Sequence, residues 1–227
     1  MKKHIVVLTG AGMSAESGIK TFRDSDGLWE GHDVMQVASP LGFHANPELV
    51  LDFYNQRRRQ LLTVNPNSAH YDLAELEENF NVTIITQNID DLHERAGSST
   101  VIHLHGELLK VRSAIDGSDI REWKSDLLLG DLCKKGHQLR PHIVWFGEDV
   151  PLIENAIDVC KVADILIIIG TSLQVYPAAG LMHYVPQQTR IYFIDPKPNV
   201  NHHSNLTVFA EKATVGVKKA IQAIMDL

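Results

Sequence analysis

Ile5-Val6-Val7-Leu8-Thr9-Gly10-Ala11-Gly12-Met13-Ser14-Ala15-Glu16-Ser17-Gly18 is the stretch whose reading decides the fold. Its four leading apolar residues show no polar alternation, which suits a strand covered on both faces. The small residues that follow are spaced G-x-G-x-x-A, the pattern of a strand that turns into a helix beside a diphosphate. On this reading Gly10 permits the tight turn, Gly12 lets the backbone approach the ligand, and Ala15 allows close helix–strand packing. The acidic residue expected at the end of a second strand is not evident.

Other strand-length apolar runs follow at Val82–Thr86, Val101–His105, His142–Phe146, Ile165–Ile169, Arg190–Ile194 and Leu206–Phe209. Between them, Pro47–Leu62, Ser68–Glu78, Pro151–Val162 and Ala213–Met225 have helical periodicity, with Pro151 placed to open its helix. The alternation predicts an α/β fold: a Rossmann-like, largely parallel sheet with helices on both faces. Residues 24–80 hold helices but no convincing strand, and residues 107–141 are polar, irregular and charged. Both stretches leave the sheet and return to it. Together they are expected to form a smaller inserted module, leaving residues 1–23, 81–106 and 142–227 to the sheet, with the substrate in the cleft between.

Bulk properties narrow the class. The chain has 227 residues, 44% hydrophobic and 22% charged, as in an ordinary globular protein with a sizeable core. A formal net charge of −7 and the lack of a long Lys/Arg block argue against a general nucleic-acid binder. No run approaches the roughly 18 apolar residues of a membrane span. Lys2-Lys3-His4 leads straight into a strand, unlike a signal peptide, and the two cysteines, Cys133 and Cys160, suggest no disulfide framework. The expected location is the cytoplasm, with neither membrane nor nucleic acid as partner.

Polar motifs sit where strands should end. Thr86-Gln87-Asn88-Ile89-Asp90-Asp91-Leu92-His93 follows one run, His105-Gly106 another, and Gly170-Thr171-Ser172 the most apolar of all. In open parallel sheets ligands collect outside the carboxyl ends of strands, so these groups are expected to face one crevice. Taken in order, Gly10–Arg23 (GAGMSAESGIKTFR), Gln87–Asp90 (QNID), His105-Gly106, Arg140–Glu148 (RPHIVWFGE) and Gly170–Ser172 (GTS) closely resemble the sirtuin family of NAD-dependent protein-lysine deacylases. The resemblance runs from residue 5 to about residue 180 and makes residues 1–227 a single sirtuin-type domain.

The resemblance implies that Gly10, Ala11, Gly12 and Glu16 line the NAD diphosphate and ribose site, with Phe22 and Arg23 over the nicotinamide ribose. Gln87, Asn88, Ile89 and Asp90 would hold that ribose and the carboxamide, and Gly170, Thr171 and Ser172 the adenosine half. His105 matches the family's catalytic base, with Asn88 and Asp90 beside it. The chemistry suits these residue types. Departure of nicotinamide leaves cationic character at a ribose carbon, which an acyl-lysine oxygen attacks only if held in line and kept from water. A base must then take a ribose hydroxyl proton, and histidine titrates near operating pH. Asn88 cannot titrate and is given an orienting role, whereas Asp90 can accept from the carboxamide.

Tyr54 and Arg57 lie three residues apart on a helix and project from one face. A Tyr-x-x-Arg pair also matches the desuccinylase/demalonylase-like branch of the family, as does Thr21 where most deacetylase-type members carry Asp. Guanidinium and phenol together would bind an acyl carboxylate. On spacing alone Arg57-Arg58-Arg59 also reads as a solvated charge run. The RPHIVWFGE motif of the family places Trp145 and Phe146 beside the acyl-lysine channel; Gly147-Glu148 is expected to begin a loop that pairs with substrate backbone by strand addition, with Val175-Tyr176-Pro177 as the opposite wall.

Three departures from the family stand out. Most sirtuins hold the smaller module around zinc with two Cys-x-x-Cys pairs, but here Ser113-Ala114-Ile115-Asp116 replaces the first and Cys133 is the only thiol of the second. A closed site needs four soft or imidazole ligands, which Cys133 and His137 alone cannot supply, so no zinc is expected. Lys20 stands where proline is common, and Phe193-Ile194-Asp195 where an Asn-x-Glu segment is usual. His202-His203 reads as a solvated turn, His93 as a packed residue and Cys160 as a buried small one. The leading function is removal of succinyl or malonyl groups from protein lysines, with acetyl left open. The alternatives are an NAD glycohydrolase or mono-ADP-ribosyltransferase, and an idle NAD- or ADP-ribose-binding module.

Overall fold

The computed structural model describes residues 2–20, 28–200 and 204–226. From the first segment into the second, the elements are β1 (His4–Thr9), β2 (Leu28–Trp29), β3 (His32–Asp33), α1 (Val34–Val37), α2 (Pro40–Ala45), α3 (Pro47–Leu61), α4 (Ser68–Glu75) and β4 (Asn81–Thr86). There follow α5 (Leu92–Ala96), β5 (Val101–His103), β6 (Gly106–Ser113), β7 (Arg121–Glu122), β8 (Leu139–Ile143), α6 (Ile153–Lys161), β9 (Ile165–Ile169), β10 (Arg190–Ile194), β11 (Leu206–Phe209) and α7 (Ala213–Met225).

Six strands make one parallel sheet in the order β11-β10-β9-β1-β4-β5. β1 lies at its middle because its residues face protein on both sides. Ile5 and Val7 pack with Ala69 and Leu73 of α4 and Val217 of α7, while Val6 and Leu8 pack with Ala156 and Cys160 of α6. All five residues of β9 are buried as well, and each such aliphatic side chain contributes about 1.5–3 kcal/mol. From β1 the chain adds β4 and β5 on one side, then returns to build β9, β10 and β11 on the other. The loops after β1 and β9 therefore diverge in connectivity while lying next to each other, which is the crevice where open α/β sheets bind ligands.

The smaller module packs α3 against a second sheet of antiparallel strands, β7-β6-β8. Pro47 fits the first position of α3, and the Asn46 side chain accepts from Leu49 N at 3.1 Å, which caps it. Arg58 is wholly buried inside this module, donating to Leu108 O and to Asn55 Oδ1 at 2.6 Å; burial lowers its pKa to about 10 against the pull of the Asp126 carboxylate.

Several expectations need correction. Residues 107–141 contain one whole strand and most of two others, because β6 alternates buried and partly buried positions despite its charges. His142–Phe146 is not a parallel strand: β8 ends at Ile143 and pairs antiparallel with β6. The β2–β3 hairpin lies inside the stretch read as strandless. α4, expected in the smaller module, shares the core of the parallel sheet instead. Pro151 precedes α6 in a turn rather than opening it. Among the described residues no helix is long and apolar enough to cross a membrane.

Candidate active site

The glycine loop departs from its reading in an informative way. β1 leads into two single 3-10 turns, Ala11–Met13 and Ala15–Ser17, rather than an α-helix, and Gly18 ends them at a left-handed φ of 96°. Ala15 therefore packs no helix onto the strand and is exposed. Gly10 has extended backbone, so no special turn demands glycine there. Close approach does. Gly10 N donates to Ile169 O and Gly12 N to Gly170 O, both at 2.9 Å. A Cβ on Gly12 would lie 2.6 Å from Gly170 Cα, and one on Gly170, which has φ +61°, 2.5 Å from Gly12. The glycines thus weld the loops after β1 and β9 into one floor. Ala11 and Gly12 are partly exposed at its surface. Glu16 is spent elsewhere: its carboxylate accepts the N–H of Thr214 at 3.0 Å and its hydroxyl at 2.9 Å, and so caps α7.

The end of β4 brings its polar residues onto this floor. Gln87 Nε2 donates to Thr171 Oγ1 at 3.2 Å, and Asn88 Nδ2 to Gly10 O at 3.0 Å. Ser14, which sequence reasoning passed over, is buried between Asn88 and Asp90. It receives a bond from Asn88 Nδ2 at 3.3 Å and donates to Asp90 Oδ2 at 2.9 Å. Its signal was only that a hydroxyl follows the glycines. Asp90 is almost fully buried, and desolvation raises its pKa to about 6 against the pull of the Ser14 and Leu92 N–H bonds. The Ile89 side chain packs toward the smaller module's core, and its carbonyl accepts from Leu108 N.

His105 lies just past β5. The turn there puts Gly106 at φ +82°, and any Cβ would strike the His142 carbonyl. His105 Nδ1 meets Gln87 O at 3.0 Å, so Nδ1 carries the proton and Nε2 keeps a free lone pair. Burial lowers its pKa, so the ring is neutral and basic at pH 7. Its neighbour His103 was also missed. Glu94 Oε1 holds its Nε2 at 2.6 Å and raises its pKa despite burial, while Nδ1 meets Asn88 O at 3.3 Å. Two imidazoles thus brace the backbone of Gln87 and Asn88. Beneath them His93 is buried, its Nε2 3.2 Å from Thr9 Oγ1, as its packing role requires.

Tyr54 and Arg57 do share one face of α3. Tyr54 is fully buried, its hydroxyl accepting from Trp145 Nε1 at 2.9 Å, and burial raises its pKa. Arg57 stacks on Phe53 at 3.9 Å and donates Nη1 to Phe53 O at 2.8 Å; burial lowers its pKa, and its buried Nε has no acceptor among the described residues. Trp145 is buried, whereas Phe146 of the channel motif and Val175 of the expected opposite wall are exposed. Glu148 does not reach outward: it accepts from Trp145 N and twice from Arg140. Thr171 is buried and Ser172 partly exposed beside it. Lys20 pairs with Glu30 at 2.8 Å, and Asp195 accepts from Lys197 N. Thr21, Phe22, Arg23, His202 and His203 lie outside the described residues.

A model of the Sir2 family matches residues 10–177. An NAD-dependent protein deacylase of Helicobacter pylori (strain ATCC 700392 / 26695) is 58% identical over 226 residues, covering 99% of each chain. The solved ADP-ribose complex of a point mutant of a Sir2 homologue is 39% identical with a TM-score of 0.89, covering 99% of this chain and 93% of that one. A Sir2 homolog–NAD complex, also 39% identical, superposes with a TM-score of 0.85 over 99% of this chain and 90% of its own. The match spans the floor, the β4 end and His105 alike, and the chain belongs to the Sir2 family, the sirtuins.

Proposed function

We propose that this protein is an NAD-dependent protein-lysine deacylase that favours acyl groups ending in a carboxylate, succinyl and malonyl above acetyl. The observation that carries the acyl preference is a pair of side chains one helical turn apart, each with one hydrogen that finds no acceptor among the described residues. The Tyr54 phenol has no acceptor for its proton among the described residues, and Arg57 Nε is likewise buried and unpartnered. Leaving such donors unsatisfied costs about 1–3 kcal/mol each, and a carboxylate satisfies both. Tyr54 is covered by Trp29 and Phe53, with ring centroids 6.0 Å and 5.2 Å away, so an acyl tail must part these side chains to reach it.

NAD supplies the ribose carbon from which nicotinamide departs and to which the acyl oxygen is transferred. The protein's share is orientation and proton transfer. Asp90, ionised above about pH 6, accepts from the carboxamide. Asn88 and Ser14 fix its geometry. His105 Nε2 takes the ribose hydroxyl proton, its tautomer set by Gln87 O. Gly10, Ala11, Gly12, Thr171 and Ser172 face the diphosphate and adenosine. Family membership and the deacylase name of the Helicobacter relative support this reading.

The donor set supports a smaller module without zinc. Asp116 binds the Lys135 ammonium at 2.6 Å and Ser118, which leaves Cys133 as the one thiol where four soft ligands are needed. Metal content of the purified protein checks this, with one-to-one zinc as the contrary result. The function is tested with NAD and succinyl-, malonyl- and acetyl-lysine peptides, products read by mass spectrometry. Deacylated peptide and O-acyl-ADP-ribose should form together, and Arg57→Met should lower succinyl turnover far more than acetyl turnover. Free ADP-ribose or modified protein without deacylation would instead indicate the glycohydrolase or ADP-ribosyltransferase activity. Equal losses in Arg57→Met would make Arg57 structural.

A further inference from the structure

Trp145 donates its indole N–H to the Tyr54 hydroxyl oxygen at 2.9 Å, and both side chains are buried. An indole nitrogen is a donor only, whereas a phenol both donates and accepts. The bond therefore fixes which half of the phenol remains: its acceptor side is occupied, and its proton must point elsewhere. Burial keeps that proton in place by raising the phenol pKa. The indole has little freedom to release the bond. The Arg140 guanidinium lies 3.5 Å from its ring centroid and Phe43 lies 5.3 Å away. Glu148 holds Arg140 through bonds of 2.7 and 2.8 Å and the Trp145 backbone N–H at 2.8 Å, and Arg112 adds a further bond at 3.1 Å.

We propose that Trp145, clamped by Arg140 and Glu148, is a positioning residue that turns the Tyr54 hydroxyl into a dedicated donor toward the acyl group. The role rests on the acyl-carboxylate reading above. A phenol held this way favours an acyl end that accepts and gives nothing to a methyl. Without the indole N–H the hydroxyl turns freely and offers its lone pairs as readily as its proton.

The test compares kcat and KM for succinyl- and acetyl-lysine peptides in the parent protein, W145F, Y54F, the W145F/Y54F double variant and R57M. The ratio of succinyl to acetyl kcat/KM should fall about three- to tenfold in W145F, through KM for the succinyl peptide. The double variant should show no lower ratio than Y54F alone, because removing the hydroxyl removes what Trp145 directs. Equal losses on both peptides in W145F, or a double-variant ratio that multiplies the two single effects, overturns the proposal. R57M separates the two layers. If R57M and Y54F lower the ratio and W145F does not, the acyl reading stands and the Trp145 role falls. If none of the three moves it, the acyl reading itself fails. Should W145F not fold, Y54F read by nitrogen-15 NMR serves instead: one of the three tryptophan indole resonances should shift and exchange faster with water. Three unmoved resonances overturn the proposal.

Discussion

Replacing Asp90 with asparagine should make the protein more stable and less active. Its carboxyl accepts from Ser14 and Leu92 N–H, but burial dominates and raises its pKa from 3.8 to about 6. The sign follows from linkage. Between these values the folded state holds a proton that the unfolded state has lost, so stability falls as pH rises through the window and levels off above it. The gap corresponds to about 3 kcal/mol at 1.36 kcal/mol per pH unit, present in full near pH 7.5 and shrinking to about 1 kcal/mol near pH 4.5. An asparagine carries no charge to desolvate, still accepts from Leu92 N, and replaces the Ser14 bond with one of reversed direction, its Nδ2 donating to Ser14 Oγ. Urea unfolding of parent and Asp90→Asn should therefore differ by about 1–3 kcal/mol near pH 7.5, in favour of the variant, and by less near pH 4.5. Deacylation should drop in the same variant, since the acceptor for the carboxamide is weakened. A variant no more stable near neutrality, or stabilised equally at both pH values, would refute the reasoning.

His105→Ala should lower deacylation by about 10²–10⁴-fold while NAD binding stays measurable by calorimetry, and a variant near the parent rate removes His105 as base. Because burial lowers the His105 pKa, the acid limb of the kcat profile should fall below 6.5; a limb above that value contradicts the assigned environment. Gly170→Ala forces a left-handed side-chain residue against Gly12 and should cost about 2–4 kcal/mol in urea unfolding, together with NAD affinity. A loss under about 0.5 kcal/mol would mean that the β1 and β9 loops are not welded together.

The parallel sheet was legible because its strands are continuous apolar runs: β9, β10 and β11 begin and end where Ile165–Ile169, Arg190–Ile194 and Leu206–Phe209 were read. The smaller module was not. β6 is an eight-residue strand written GELLKVRS, whose charges lie on its less buried positions and mask the alternation. His142 and Ile143 look like a buried strand yet pair with β6, because partner choice is set by tertiary contacts that a single run does not encode. At the site, Gln87, Asn88, Asp90 and His105 were legible from their places after strands. Ser14 and His103 were hidden because a lone serine or histidine carries no signal until its partners are in place. The spacing of the glycines suggested ligand approach, and the structure adds a use that the spacing did not reveal, the packing of loop against loop.

The most direct measurement is a crystal structure of the protein with NAD and a succinyl-lysine peptide. The account predicts the nicotinamide end against Asp90 and Asn88, the succinyl carboxylate on the Tyr54 hydroxyl and Arg57, and His105 Nε2 within hydrogen-bonding reach of a ribose hydroxyl. An imidazole turned from the sugar with no space to rotate back would contradict it.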